Sequence, residues 1–203
     1  MKRLLALFVL IVASASAHAE APVILVFGDS ISAGYGLPQE QGWVELLRTR
    51  LKSQGYGYQV VNASVSGETT AGGLARLPRA LELHHPSIVI LELGGNDGLR
   101  GLPIAQMRAN MTQMTNLSAA AGAKVLLLGM RMPPNYGPEY TKQFAMVFSD
   151  LAAEKKTSLV PFLLTDIALS PALLQADDIH PNALGQPILL DNVWPTLQPL
   201  LHK

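Results

Sequence analysis

Segments with the pattern of β-strands alternate with segments with the pattern of helices along the chain after its first 20 residues. The predicted strands are short and apolar, and they are residues 23–27, 58–62, 87–93, 124–129 and 159–163. The predicted helices carry apolar residues at helical spacing, and they are residues 43–54, 70–84, 103–121, 138–156 and a proline-interrupted 184–201. Strict alternation predicts an α/β fold in which a five-stranded parallel sheet has helices on both faces.

The first 19 residues have the pattern of an export signal. Lys2 and Arg3 precede an apolar run at 4–12, and Ala17-His18-Ala19 matches the small-x-small rule for cleavage. These nine apolar residues are far fewer than the roughly 20 that span a bilayer, so no stable membrane anchor is expected. We therefore predict a signal peptide at 1–19 with cleavage after Ala19, a single domain at 20–203, and a periplasmic or secreted location.

Composition excludes several classes of function. Without the predicted signal peptide the chain carries 13 basic and 15 acidic residues and no basic run, so nucleic acid is not an expected partner. The chain has no cysteine, which excludes thiol catalysis and thiolate ligation of metals. No exposed heptad pattern is visible, which favours a monomer.

Glycines and polar residues follow each predicted strand. Parallel strands joined by right-handed crossovers all end at one edge of the sheet, which is where such proteins bind ligands. The segments at that edge are 28–30, 63–68, 94–97, 130–138 and 177–181. Together they supply a hydroxyl, glycine amides, a carboxamide, carboxylates and an imidazole, which are the groups that acyl transfer requires. Gly28-Asp29-Ser30 alone is also typical of a turn or helix cap, but in this setting Ser30 is the candidate nucleophile.

The position of each histidine decides which one is the candidate base for Ser30, because a serine needs a neighbouring base to take its proton. Four histidines are excluded because they lie in the predicted signal, at the C-terminus, or at the opposite edge of the sheet: His18, His202, His84 and His85. His180 is the candidate that remains. Asp177 and Asp178 are both candidates to orient its ring, and the three-residue offset favours Asp177. A metal site made of these three side chains lacks further ligands.

An acyl-transfer site also needs hydrogen-bond donors for its anionic intermediate. The candidates are the backbone N–H of Ser30, the backbone N–H of Gly67 and the side-chain amide of Asn96. Apolar residues near the same edge are candidates to bind a substrate, namely Leu99, Pro134 and Tyr136. Three methionines at helical spacing, Met107, Met111 and Met114, are predicted to belong to the core.

The order of these motifs resembles the SGNH (GDSL) hydrolase family. The residues that define the family occur here in sequence as Ser30, Gly67, Asn96 and His180. The strings at 62–69, 71–78, 91–98 and 133–138 are similar to those of its periplasmic group of multifunctional thioesterases, arylesterases and lysophospholipases. One departure is Asp178, where this group commonly has glycine.

The resemblance implies a three-layer α/β/α flavodoxin-like sandwich, with neither a metal nor another cofactor. It implies Ser30, Asp177 and His180 as a catalytic triad, with Ser30, Gly67 and Asn96 forming the oxyanion hole. The implied reaction is hydrolysis of carboxylic esters and acyl thioesters, including fatty acyl, aryl and lysophospholipid substrates, through an acyl-enzyme. Two alternatives stay open at this point: a carbohydrate acetylesterase on the same scaffold, and a binding protein without catalytic activity.

Overall fold

Five parallel strands form the central sheet, in the order β2-β1-β3-β4-β5. The computed structural model describes residues 21–203, so the predicted signal peptide lies outside the described residues. The strands are β1 (Val23–Gly28), β2 (Gln59–Asn62), β3 (Ile88–Glu92), β4 (Lys124–Leu128) and β5 (Ser158–Val160). The three central strands, β1, β3 and β4, are almost wholly buried, as expected for a sheet covered on both faces.

Two layers of helices cover the sheet. The helices are α1 (Ser30–Ala33), α2 (Trp43–Ser53), α3 (Thr70–His84), α4 (Gly95–Leu99), α5 (Ile104–Ala120), α6 (Pro138–Lys155) and α7 (Gln186–Leu197). Helices α2 and α7 pack against each other on one face, while α5 packs between α3 and α6 on the other. The predicted three-layer α/β/α fold is confirmed.

Local chemistry explains where the observed elements differ from the predicted ones. Strand β5 ends at Val160 instead of residue 163, although the backbone N–H of Leu163 still donates to the carbonyl oxygen of Gly129 over 2.8 Å. Helix α7 contains Pro187 in its first turn and Pro195 in its interior, and it gives way at residue 198 to a 3₁₀ turn containing Pro199. The short helices α1 and α4 were not predicted, because each lies within a segment read as a loop.

The apolar residues at helical spacing in α2 are Trp43, Leu46, Leu47 and Leu51, and all but the partly buried Leu46 are buried. Trp43, Leu47 and Leu51 are at most 1% exposed. The backbone N–H of Trp43 donates to Oε1 of Gln186 over 2.9 Å, which ties the start of α2 to the start of α7. The methionines predicted to be core are likewise buried in α5. No helix within residues 21–203 is both long enough and apolar enough to cross a bilayer.

Candidate active site

Ser30 is the first residue of α1, directly beyond the end of β1. Asp29 caps this short helix, because its Oδ1 accepts a hydrogen bond of 3.1 Å from the backbone N–H of Ile31. Gly28 lets β3 lie close behind the turn, since a Cβ at this position would be 2.6 Å from Oε2 of Glu92. The turn therefore places the hydroxyl-bearing residue at the carboxyl edge of the sheet.

His180 reaches Ser30 from the loop before α7, 150 residues further along the chain. Its Nε2 lies 2.8 Å from Oγ of Ser30, and its Nδ1 lies 2.6 Å from Oδ2 of Asp177. The ring of Tyr35 packs on the imidazole with the ring centroids 4.7 Å apart. An imidazole held in this way directs a protonated nitrogen at the carboxylate and a lone pair at the hydroxyl.

The carboxylate of Asp177 also organises its own turn. Its Oδ1 accepts hydrogen bonds of 3.0 Å from the backbone N–H groups of Ile179 and His180. Burial raises the pKa of Asp177, but the hydrogen bonds from the backbone and ring of His180 and from Ile179 outweigh it and lower the pKa to about 2. Asp177 is therefore ionised at neutral pH and can stabilise a positive charge on His180.

Asp178 has a structural role different from that of its neighbour. Its φ is +56°, in the left-handed region that favours glycine. The hydrogen bonds of the His180 ring are made to Ser30 and to Asp177, and none is made to Asp178 within residues 21–203. Glycine, which is common at this position in the group that the sequence resembles, would adopt the same backbone conformation. Aspartate at position 178 therefore keeps the turn and adds an exposed carboxylate.

The three candidate oxyanion donors line one cavity. Neither the backbone N–H of Ser30 nor that of Gly67 donates to a protein acceptor within the described part of the chain. Gly67 adopts a φ of +78°, and Arg100 donates to its carbonyl oxygen over 2.9 Å. The Nδ2 of Asn96 donates one hydrogen bond of 3.0 Å to Oδ2 of Asp29. Its second N–H donates to no protein acceptor within residues 21–203.

A buried polar contact links the loops that carry Gly67 and Asn96. Asp97, next to Asn96, accepts hydrogen bonds of 2.8 Å and 2.5 Å from the backbone N–H and the hydroxyl of Thr70 at the start of α3. Asn110 in α5 donates to the same hydroxyl over 3.0 Å. The two loops are therefore held at a fixed spacing, which preorganised donors require.

The cavity beside Ser30 has a volume of about 640 Å³ and a mainly apolar wall. Leu99 and Pro134 lie on this wall, as predicted, together with Met132, Phe162 and Leu164. Tyr136 is not among the residues that line this cavity. Its hydroxyl instead donates to the carbonyl oxygen of Leu99 over 3.1 Å, so Tyr136 supports the loop that carries a lining residue.

Two of the histidines that the sequence excluded as the base, His85 and His202, lie elsewhere in the fold. His85 caps the end of α3, and Nδ1 of His202 lies 2.7 Å from the hydroxyl of Tyr58. Both positions are far in the fold from the loops that surround Ser30. Within residues 21–203, no three His, Asp or Glu side chains are grouped so that they could hold a metal ion.

Comparison with known proteins assigns this arrangement to a family. Residues 26–188 match the model of the GDSL-like lipase/acylhydrolase family, which is most of the chain. The chain belongs to this family. It is therefore an enzyme of the hydrolase class, and the resemblance noted in the sequence is confirmed.

Similar members of the GDSL family have esterase and thioesterase names. The chain is 55% identical to the esterase TesA of Pseudomonas aeruginosa over 91% of its length and 92% of the relative. It is 42% identical to thioesterase 1/protease 1/lysophospholipase L1 of Escherichia coli K12, over 91% of its length and 87% of the relative. The crystal structure of the esterase EstA from Pseudoalteromonas, inhibited by monoethylphosphonate, superposes with a TM-score of 0.84 at 41% identity and covers 87% of this chain and 97% of that one.

Two buried carboxyl groups of this GDSL-family site were missed by sequence reasoning. The sequence analysis gives Asp29 no role of its own, yet this residue is 2% exposed and its carboxylate accepts a hydrogen bond from Asn96. Glu92 is completely buried at the end of β3, inside an otherwise apolar strand. A single acidic residue at the end of a buried strand was the signal that could have identified Glu92.

We predict that Asp177→Asn lowers kcat by about 10²–10⁴-fold. The carbonyl oxygen of the introduced amide would keep the backbone hydrogen bonds of Ile179 and His180, which turns its NH₂ toward Nδ1 of His180 and favours the wrong tautomer for accepting a proton from Ser30. Steady-state kinetics with a soluble aryl ester measure this loss.

Asp178→Asn is the matched control, because asparagine tolerates a positive φ as aspartate does, and only the charge changes. We expect its kcat to change by at most about threefold. A larger loss in Asp178→Asn than in Asp177→Asn would show that the pairing of His180 has been assigned to the wrong carboxylate.

Proposed function

We propose that this protein is a serine esterase that hydrolyses carboxylic esters and acyl thioesters through a covalent acyl-enzyme. The observation that carries the proposal is the chain of contacts from Ser30 through His180 to Asp177, with distances of 2.8 Å and 2.6 Å. Such a chain activates a serine hydroxyl, because the imidazole takes its proton while the carboxylate stabilises the charged ring. The esterase and thioesterase names of the relatives support the same reaction class.

Acylation would begin when Nε2 of His180 takes the proton of Ser30 and the serine oxygen adds to the substrate carbonyl carbon. The carbonyl oxygen then becomes an oxyanion, which would accept hydrogen bonds from the N–H groups of Ser30, Gly67 and Asn96. Losing one donor of this kind typically costs about 10²–10³ in kcat. When the tetrahedral intermediate collapses, the protonated His180 gives its proton to the departing alcohol or thiol, and the acyl group stays on Ser30.

Deacylation would use the same groups in the reverse roles. His180 takes a proton from a water molecule, whose oxygen adds to the acyl carbon and forms a second oxyanion in the same donor set. The intermediate collapses, the serine oxygen leaves with the proton held by His180, and the carboxylic acid is released. The cycle is complete without a metal or an organic cofactor.

The apolar cavity supports acyl chains as the substrate class. Its wall contains aliphatic and aromatic side chains, so a fatty acyl or aryl group would bury apolar surface there. This composition favours lipid-like esters, acyl thioesters and lysophospholipids over acetylated carbohydrate, whose polar rings need a polar wall. No macromolecular partner is required for this chemistry, and we propose that the enzyme acts as a monomer.

A fluorophosphonate probe tests the enzyme assignment. The nucleophilic oxygen forms a bond to phosphorus and displaces fluoride, so an activated serine becomes covalently labelled. We expect the wild type to be labelled on Ser30 and Ser30→Ala to be unlabelled. Ser53→Ala is the control, because its hydroxyl contacts only the carbonyl of Arg50 on the exposed side of α2. Labelling of Ser30→Ala at the wild-type rate would instead support a protein without this active site.

The preference for acyl-chain length tests the substrate assignment. We expect wild-type kcat/KM to be higher for an octanoyl than for an acetyl aryl ester, and Leu99→Ser to reduce that ratio by about fivefold, because a lining side chain loses its apolar contact. Leu83→Ser serves as the control, since Leu83 is 60% exposed near the end of α3, away from the cavity. A wild-type preference for acetyl esters would favour the carbohydrate acetylesterase alternative.

The N-terminal sequence supports export as a further part of the proposal. Lys2, Arg3 and the apolar run at 4–12, followed by Ala17-His18-Ala19, favour cleavage after Ala19. We expect the mature protein from a Gram-negative host to occur in the periplasmic fraction or the medium and to begin at Glu20, as measured by intact mass. A full-length chain confined to the cytoplasm would contradict this assignment.

A further inference from the structure

Glu92 is a buried ionisable group for which the proposed reaction has no direct use. It lies at the carboxyl end of β3, opposite Gly28 in the pairing of β3 with β1, and it is wholly buried. The missing side chain at Gly28 provides the space that the carboxyl group occupies, because a Cβ there would lie 2.6 Å from Oε2. A carboxyl group in this position costs considerable free energy unless its environment compensates.

The contacts of Glu92 are made to the turn that carries Ser30. Its Oε2 accepts hydrogen bonds from the hydroxyl of Ser32 at 2.7 Å, from the backbone N–H of Asp29 at 3.2 Å and from the backbone N–H of Ser32 at 3.3 Å. These donors stand on both sides of Ser30 in the chain. The carboxyl group therefore holds the turn from behind, where neither water nor substrate reaches.

Asp29 extends the same network to the oxyanion donors. One of its oxygens accepts from the backbone N–H of Ile31 at 3.1 Å, and the other accepts from Nδ2 of Asn96 at 3.0 Å. Glu92 therefore positions the nucleophile directly, and it positions the amide of Asn96 through Asp29. No basic side chain forms an ion pair with Asp29 or Glu92 within residues 21–203.

We propose that Glu92 is a positioning residue for the reaction, held as the neutral acid, which fixes the turn of Ser30 and, through Asp29, the amide of Asn96. This inference rests on the proposed function, because it concerns the placement of the proposed nucleophile and oxyanion donor. Its second oxygen, Oε1, is buried without a protein partner in the described structure. A proton on Oε1 would leave Oε2 free to accept from its three donors.

The electrostatic surroundings agree with a neutral Glu92 beside an ionised Asp29. The charged group that faces Glu92 is Asp29, and those that face Asp29 are Glu92 and His180. Burial and the charge of Asp29 raise the pKa of Glu92 well above its ordinary value. Burial also raises the pKa of Asp29 to about 6, although the hydrogen bond from Ile31 and the charge of His180 act in the opposite direction. Of the two carboxyl groups, Glu92 is therefore the one that keeps its proton to higher pH.

Equilibrium unfolding as a function of pH tests the protonation state. A neutral Glu92 gives the folded protein one more bound proton than the unfolded chain above pH 6. Between pH 6 and 8, each pH unit should therefore raise the unfolding constant of the wild type about tenfold through this proton alone. Glu92→Gln lacks the proton, so its unfolding constant should lack this tenfold increase. Glu82→Gln is the control, since it removes an exposed carboxylate and should keep the wild-type slope. Equal slopes for the wild type and Glu92→Gln would overturn the neutral-acid assignment.

Kinetics test the positioning role. Glu92→Gln keeps a carbonyl oxygen for the three donors, so we expect kcat and the acid limb of its pH profile to stay close to those of the wild type. Glu92→Leu removes the acceptor, and the resulting shift of the turn should lower kcat by about 10–100-fold with little change in KM. Active-site titration with the fluorophosphonate corrects for misfolded protein.

The outcomes separate this inference from the proposed function. If Ser30→Ala is labelled like the wild type, the proposed function fails, whereas the unfolding slopes still report on Glu92. If labelling is confined to Ser30 and Glu92→Leu keeps the wild-type kcat, the positioning role is wrong. If Glu92→Leu does not fold, Glu92→Gln decides, because this variant retains the acceptor oxygen. A loss of kcat or a displaced pH profile in Glu92→Gln would then overturn the positioning role.

Discussion

The 2.8 Å contact between Ser30 and His180 is the interaction on which the proposed chemistry depends. It joins the first turn of the fold to the loop before the last helix, so nearly the whole chain must fold before it exists. A parallel sheet makes such a contact possible, because every strand ends at the same edge and every following loop starts there. The sheet order places β1 beside β3 near the middle of that edge, where the loops from both strands are closest to each other.

Carboxyl groups surround this contact, and each one has a different environment and a different task. Asp177 is partly exposed, accepts several hydrogen bonds and stays ionised, so it can stabilise a charged imidazole. Asp29 is buried and orients Asn96, while Glu92 lies deeper and holds the turn. The same functional group thus stabilises a charge, orients a donor or holds a turn, depending on how deeply it is buried and which donors it contacts.

Apolar surface decides what the site can accept. The cavity wall is mainly aliphatic and aromatic, so it supplies binding free energy for acyl chains but few directional contacts. The hydroxyl of Ser30, the amide of Asn96 and the imidazole of His180 are among the polar groups that line it. An apolar wall with a few polar groups is typical of sites that recognise one functional group, here an acyl carbonyl, and tolerate variation in the chain attached to it.

The strands and long helices were predicted closely from sequence, since buried parallel strands and amphipathic helices leave strong apolar patterns. The end of β5 was placed three residues too late, because its apolar pattern continues past Pro161 while the regular strand ends at Val160. The contact made by Tyr136 could not be predicted from sequence. Its position after β4 brings it to the correct edge, but only packing decides that its hydroxyl reaches Leu99 instead of the cavity.

By itself, the sequence determined the layered α/β architecture and which edge of the sheet carries the polar loops. It also determined which serine and which histidine could meet there, because strand direction follows from the alternation of elements. Only the tertiary structure decided that Asp177 contacts His180 while Asp178 takes a left-handed backbone, and that two carboxyl groups are buried together behind Ser30. The choice between the two aspartates is made within one turn, where the three-residue offset already favoured Asp177. The joint burial of Asp29 and Glu92 instead depends on distances of a few ångströms between segments far apart in the chain, which no local pattern of residues encodes.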